Sequence, residues 1–308
     1  MNRRLLLTIA LAGLTAGGLL PACRQDTTTL PPERERTGAL AAYDHTRTIV
    51  SYGPRPPGSA ALRNTRNYIA EQLEQQGWTV TPQPFSQSVG ILGRRINFIN
   101  LVARFEPSRE SPIDVILGAH IDSKFYPDRK FVGADDAASA AGLILELARQ
   151  LSREPEKASR VELVFFDGEE AFGQNISPSD GLYGSKHYAL QWRKSERTPS
   201  AGIILDMIGH RNLRIRYPSD TPAFLEDLLL KAARKAGAAD RFTRGLNPIM
   251  DDHVPLNNAG IPTIDIIGDF SQFAWWHTES DNMRRISRES LEITLTVTSA
   301  VLSDLLAR

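Results

Sequence analysis

The sequence predicts an α/β protein whose mixed, mostly parallel central sheet carries helices on both faces. Three features of the 308-residue chain lead there. Short, almost wholly apolar runs such as Val161-Glu162-Leu163-Val164-Phe165-Phe166 suit strands buried on both faces. Between them lie stretches with helical spacing, the alternation that a parallel sheet covered by helices requires. Carboxylates, glycine or histidine follow the apolar runs closely, and such residues gather at the carboxyl edge of open α/β sheets.

Taken in order, residues 38–52 have helical spacing and are stopped by the turn chemistry of Gly53-Pro54-Arg55-Pro56-Pro57-Gly58-Ser59. A second helix is expected over 60–76, closed by Gly77. Strands at 78–85 and 95–105 follow, the first at a sheet edge because Pro82 and Pro84 cannot donate to a ladder. Next come a buried strand at 113–117, a helix at 136–151 with an Ala-rich start, and the strand at 161–166. A helix at 183–193, a strand at 202–205, a short strand near 213–217 and a helix at 222–236 continue the pattern. A strand at 262–267 and a long helix at 287–306 complete it. With no internal repeat and no second compositional regime after residue 37, one domain is expected over 38–308.

Composition excludes some classes of function. Lys+Arg and Asp+Glu both number 36, so there is no basic excess, which argues against a nucleic-acid or polyanion binder. A single cysteine permits no internal disulfide. That cysteine, Cys23, follows Arg3-Arg4, an apolar run over 5–20 and Leu20-Pro21-Ala22. The arrangement looks like a bacterial lipoprotein signal over 1–22, with Cys23 acylated as the mature N-terminus. An ordinary signal peptide cut nearby and an uncleaved anchor are the competing readings. The Thr-, Pro- and charge-rich stretch that follows makes 23–37 a tether. The expected location is the bacterial cell envelope, with a membrane reached through lipid on Cys23, and the expected state is a monomer.

The candidate chemistry lies just past the apolar runs. After 113–117 come His120, Asp122 and Ser123; Gly133-Ala134-Asp135-Asp136 opens a helix; Glu169-Glu170 follow 161–166; Asp206 follows 202–205; Trp275-Trp276-His277-Thr278 follow 262–267. Each has an ordinary reading alone: a solvated acidic turn for Glu169-Glu170, a hydrogen-bonded histidine for His120 or His277, a helix cap for Asp136, a turn residue for Asp206. Delivered together to one sheet edge, imidazoles and carboxylates suit zinc with an open position left for catalysis.

These phrases resemble the co-catalytic zinc aminopeptidase superfamily, and within it the glutaminyl cyclases of animal type. The cyclase-like phrases include Ala119-His120-Ile121-Asp122-Ser123-Lys124, Phe166-Asp167-Gly168-Glu169-Glu170-Ala171-Phe172, Ser177-Pro178-Ser179-Asp180-Gly181-Leu182-Tyr183-Gly184-Ser185-Lys186-His187 and Asp251-Asp252-His253-Val254-Pro255. Leu205-Asp206-Met207-Ile208-Gly209 and Trp276-His277-Thr278 add to them, and the resemblance spans about residue 40 to the end. It implies a zinc aminopeptidase-like fold and a zinc-dependent catalytic domain over 38–308, converting N-terminal glutamine of peptides to pyroglutamate. Asp136, Glu170 and His277 would then hold one zinc, with Asp136 rather than Asp135 because the family's aspartate falls three residues after the glycine. Glu169 would carry the proton beside Asp206 and Asp251, while Trp276 and Ile249 would line the substrate pocket. His120 and Asp206 complete a second metal site in aminopeptidase relatives, so a dizinc aminopeptidase is the alternative. The loop Ala171-Phe172-Gly173-Gln174-Asn175-Ile176-Ser177-Pro178 is one residue longer than in animal cyclases and lacks their pocket tryptophan, which leaves Ile176 or Phe172 to fill that space.

Overall fold

The computed structural model describes residues 38–105, 112–193 and 195–307; Cys23, the signal over 1–22 and the tether over 23–37 lie outside them. A six-stranded sheet runs through the domain in the order β1-β2-β4-β3-β5-β8. Its strands are β1 (Trp78–Val89), β2 (Arg94–Phe105), β3 (Val115–His120), β4 (Val161–Phe166), β5 (Ala201–Asp206) and β8 (Thr263–Ile267). The short strands β6 (Ile215–Tyr217) and β7 (Phe242–Arg244) pair with each other in parallel. Strands β4, β3, β5 and β8 are mutually parallel, whereas β1 and β2 join antiparallel, giving the mixed sheet the sequence implies.

Eight helices complete the described chain: α1 (Gly38–Ser51), α2 (Ala60–Glu74), α3 (Ala140–Leu151), α4 (Pro155–Ala158), α5 (Tyr183–Trp192), α6 (Ala223–Lys235), α7 (His253–Asn258) and α8 (Arg288–Leu306). Ser59 and Ser287 cap α2 and α8, accepting from Leu62 N and Ser290 N. Alternation along each strand sorts the core into two layers. Leu117, Leu163, Phe165, Ile203 and Ile264 face the larger layer with Ile49, Leu143 and Leu295, whereas Ile116, Val164, Phe166 and Ile204 face Tyr188 and Leu256. Each such fully buried side chain contributes about 1.5–3 kcal/mol by leaving water.

Several expected boundaries move, each for a local reason. The run expected at 113–117 becomes a strand over Val115–His120, and β5 extends through Asp206, so both residues end strands rather than begin loops. Gly118 permits this, because a Cβ there would meet the Phe166 ring and the Val164 carbonyl across the pair. Instead of one regular helix from 136, an irregular turn over Ala134–Ser139 precedes α3, with Asp136 out of helical geometry (φ −102°, ψ 82°). The strand near 213–217 is β6, outside the main sheet, while β7, α4 and α7 have no counterpart in the sequence reading. Strand β1 runs on to Val89 and pairs only with β2, the edge position that Pro82 and Pro84 require.

Candidate active site

The carboxyl ends of the parallel strands converge on one buried cluster. His120 and Asp206 are the last residues of β3 and β5; Glu169 and Glu170 lie just past β4; Asp136 sits in the irregular turn before α3; His277 lies in the turn after β8. Local backbone makes this arrangement specific. Gly133 sits at φ 49°, and an added Cβ would overlap the Asp136 carbonyl oxygen, so only glycine lets the chain fold back there. His277 itself adopts φ 56°, a conformation that costs a non-glycine residue roughly 1–3 kcal/mol. The turn is held by Thr278, whose N and Oγ1 donate to Trp275 O at 3.1 and 2.7 Å.

The resulting donor geometry fits a metal ion. His277 Nε2 stands 3.3 Å from Asp136 Oδ2 and 3.3 Å from Glu170 Oε1. That buried Glu170 oxygen has no hydrogen-bond partner. Ligands bound tetrahedrally at about 2.0–2.1 Å stand about 3.3–3.4 Å apart, so the spacing suits zinc better than a hydrogen bond. A second set repeats it: His120 Nε2 lies 3.3 Å from Asp136 Oδ1 and 3.3 Å from Asp206 Oδ1. Asp136 belongs to both sets and offers a different oxygen to each. Asp135 does not enter either; its carboxylate accepts from Gly209 N at 2.7 Å.

Residues that the sequence reading gave no site role hold these ligands in place. The Asp122 carboxylate accepts from Glu169 N at 3.1 Å and Glu170 N at 3.3 Å, clamping both glutamates. Asp281 does the same for Asp135 N and Asp136 N, at 2.9 and 3.2 Å. Arg55, fully buried, donates to the carbonyls of Ile121, Val132 and Gly133 and ties the two loops together. Asp122 and Arg55 lie in motifs that stand out in the sequence, though not for this role; Asp281 carries no such signal, since it acts on backbone amides remote in sequence.

Above the first donor set opens a cavity of about 300 Å³, at the small end for ligand sites. Glu169, Asp206 and Asp251 border it on the acidic side, and Trp276, Ile249, Ile176, Ile267 and Phe270 form an apolar wall. The Trp276 ring stacks on His277 with centroids 4.0 Å apart, and its Nε1 donates to Asp136 Oδ2 at 3.2 Å. Of the two candidate fillers, Ile176 lines the cavity, whereas Phe172 packs against Tyr183. Lys124 Nζ donates to Ala171 O at 2.7 Å and lies 3.6 Å from Glu170 Oε2.

Glu169 belongs to neither donor set and faces His120 Nδ1 across 3.7 Å. Burial, joined by the charges of Asp251, Glu170 and Asp252, pushes its carboxyl well above the ordinary range against the opposing pull of His120. Burial likewise raises Asp206, with Asp136 and Asp251 adding to it. Behind Asp251 the acidic chain continues to Asp252 and Asp265, both buried and both raised by burial first and by Asp251 next. His253 Nδ1 stands 3.3 Å from Asp265 Oδ2.

Known proteins resemble this one over most of its length. Residues 100–302 match the model of Peptidase family M28. A glutaminyl-peptide cyclotransferase from Bothrops jararaca is 31% identical over 292 residues, covering 79% of this chain and 74% of its own. A glutaminyl cyclase from Porphyromonas gingivalis superposes with a TM-score of 0.77 at 28% identity, covering 86% of this chain and 98% of that one. A Zn-dependent exopeptidase from Parabacteroides distasonis gives 0.76 at 29% identity, with 88% and 98% covered.

Proposed function

The chain belongs to peptidase family M28, and from that premise we propose that it is a glutaminyl-peptide cyclotransferase. It converts the N-terminal glutamine of a peptide to pyroglutamate and releases ammonia. The observation that carries this reading is the 300 Å³ cavity itself: apolar on one wall and bordered by carboxyls, it has room for one glutamine folded back on its own α-amine.

Asp136, Glu170 and His277 hold zinc in this reading, and zinc bound there supplies Lewis-acid polarisation of the side-chain carbonyl. Everything else falls to the chain. The wall of Trp276, Ile249 and Ile176 keeps the glutamine side chain folded and excludes water that would hydrolyse it. The α-amine nitrogen bonds to the side-chain carbonyl carbon, the carbon–nitrogen bond of the carboxamide breaks, and the five-membered ring remains. Glu169 accepts the proton that the amine loses and gives it to the departing nitrogen, so ammonia leaves neutral. Asp206 and Asp251, crowded beside it, favour a protonated carboxyl within that group.

One observation favours a second reading. The His120–Asp136–Asp206 set has the spacing of the first, as a dizinc aminopeptidase would need. The decisive test is the product from Gln-Phe-Ala. The cyclase reading expects a peptide lighter by one ammonia and otherwise intact, poor turnover of leucine aminoacyl substrates, and inhibition by imidazoles. Free glutamine as the dominant product, with two zinc ions per chain, would establish the aminopeptidase instead. We also infer that Cys23 carries lipid and holds the enzyme at a bacterial envelope membrane, a reading supported by the basic, apolar and small-residue order of residues 3–23.

A further inference from the structure

We propose that the open cleft beside the catalytic cavity binds the peptide chain following the N-terminal glutamine and selects apolar residues there. The inference rests on the cyclase reading and assigns the part of the substrate that the small cavity cannot hold. The cleft has a volume of about 1120 Å³ and lies among the turn joining β1 to β2, the loop around 173–180, α5 and α7. Gln174, Asn175 and Met250 line both spaces, so the two adjoin. A peptide whose first residue fills 300 Å³ must continue outside that cavity, and the adjoining cleft is the space we assign to it.

The surface of the cleft is apolar where it is free. Six large apolar side chains are exposed among the described residues, and three of them, Ile91 (64% exposed), Leu190 (52%) and Met250 (43%), line this cleft. They come from three separate elements, so no single amphipathic face accounts for them. Two charged residues of the lining are already engaged. The Asp180 carboxylate accepts from Phe172 N, Gly173 N and Tyr183 Oη, at 3.1, 2.7 and 2.8 Å. Lys186 Nζ donates to the carbonyls of Pro178 and Gly181, at 3.0 and 2.8 Å. His187 stacks flat on Phe85 with centroids 4.2 Å apart. Arg193, just past α5, is the remaining charge in the lining. Apolar side chains can therefore be buried here while the amides of Gln174 and Asn175 meet the peptide backbone, the division of labour usual in peptide grooves.

The test compares ammonia release by the full chain from Gln-Ala-amide, Gln-Ala-Leu-Phe-Leu-amide and Gln-Ala-Ser-Asn-Ser-amide. The apolar pentapeptide should exceed the other two in kcat/KM by about ten-fold, mostly through KM, the effect of partly burying one aliphatic side chain. Ile91→Asp and Leu190→Asp, both at exposed positions on different elements, should each remove most of that gain and leave Gln-Ala-amide turnover unchanged. Equal kcat/KM for the three peptides, or a gain that persists in both variants, overturns the groove alone. No ammonia from any of them overturns the cyclase reading and the groove with it. Concentration-dependent dimerisation abolished by Ile91→Asp, with peptide preference unaltered, would give the cleft to a second copy of the chain.

Discussion

Glu169 and Glu170 share one backbone clamp, Asp122, yet their side chains part: one joins Asp136 and His277, the other stays outside both donor sets. Substitution should separate them. Glu170→Ala is expected to lose bound zinc together with activity, whereas Glu169→Gln keeps zinc and fold but loses roughly 10²–10⁴-fold in turnover. Metal analysis of the two purified variants settles the point, and equal zinc loss in both would dissolve the division. Glu169, Glu170 and Asp206 were legible in sequence because each follows or ends an apolar run, whereas Asp251 and Ile249 came only from the resemblance to glutaminyl cyclases. Asp281, Asp265 and the buried role of Arg55 were not legible, because their partners are brought to them only by the fold. Nothing in the spacing of Asp281 announces that it caps the amides of Asp135 and Asp136.

Elements were legible in proportion to their length and periodicity. Strand β4 matches its apolar run residue for residue, and α8 its long helical pattern from the Ser287 cap onward. The three-residue β7 and the four- and six-residue α4 and α7 span too few residues for any period to show. The polar exception inside β4 is Glu162, buried between Arg104 Nε and the Tyr188 hydroxyl. Tyr188→Phe removes that donor from a buried carboxylate and should cost about 1–3 kcal/mol, read as a lower urea midpoint. A second element-scale effect depends on pH. His210, after β5, packs against Phe273 and Trp275, and burial, aided by Arg214 and Arg285, lowers its imidazole from 6.5 to about 4. Between those values the unfolded chain holds a proton that the folded chain does not. The stability contributed by neutral His210 is thus full above about pH 6.5 and is lost as pH falls toward 4. Urea titrations at pH 7.5 and pH 5 should show a smaller loss for His210→Gln than for the parent; equal losses would refute the assignment.

For the whole molecule, the mixed sheet with helices on both faces followed from the alternation of runs; strands β1 and β2 were also read, with Pro82 and Pro84 marking the edge, but their antiparallel direction had no signal in the sequence. Cys23→Ser should change the N-terminus, the mass of the mature protein and its partitioning into detergent; no change in any of these would remove the lipid from the account. Stable anchoring needs more than one acyl chain, so the mass should report several. Lipid attachment would confine many copies to two dimensions, a condition that punishes any open sheet edge. Residues two apart in a strand send their N–H groups to the same side, so Pro82 and Pro84 lack theirs on one side only. Since the register with β2 continues unbroken from Trp78 to Val89, that side is the outer one. The β1 rim of the sheet therefore offers an arriving strand an interrupted row of donors, which would hinder copies crowded on a membrane from pairing along that edge.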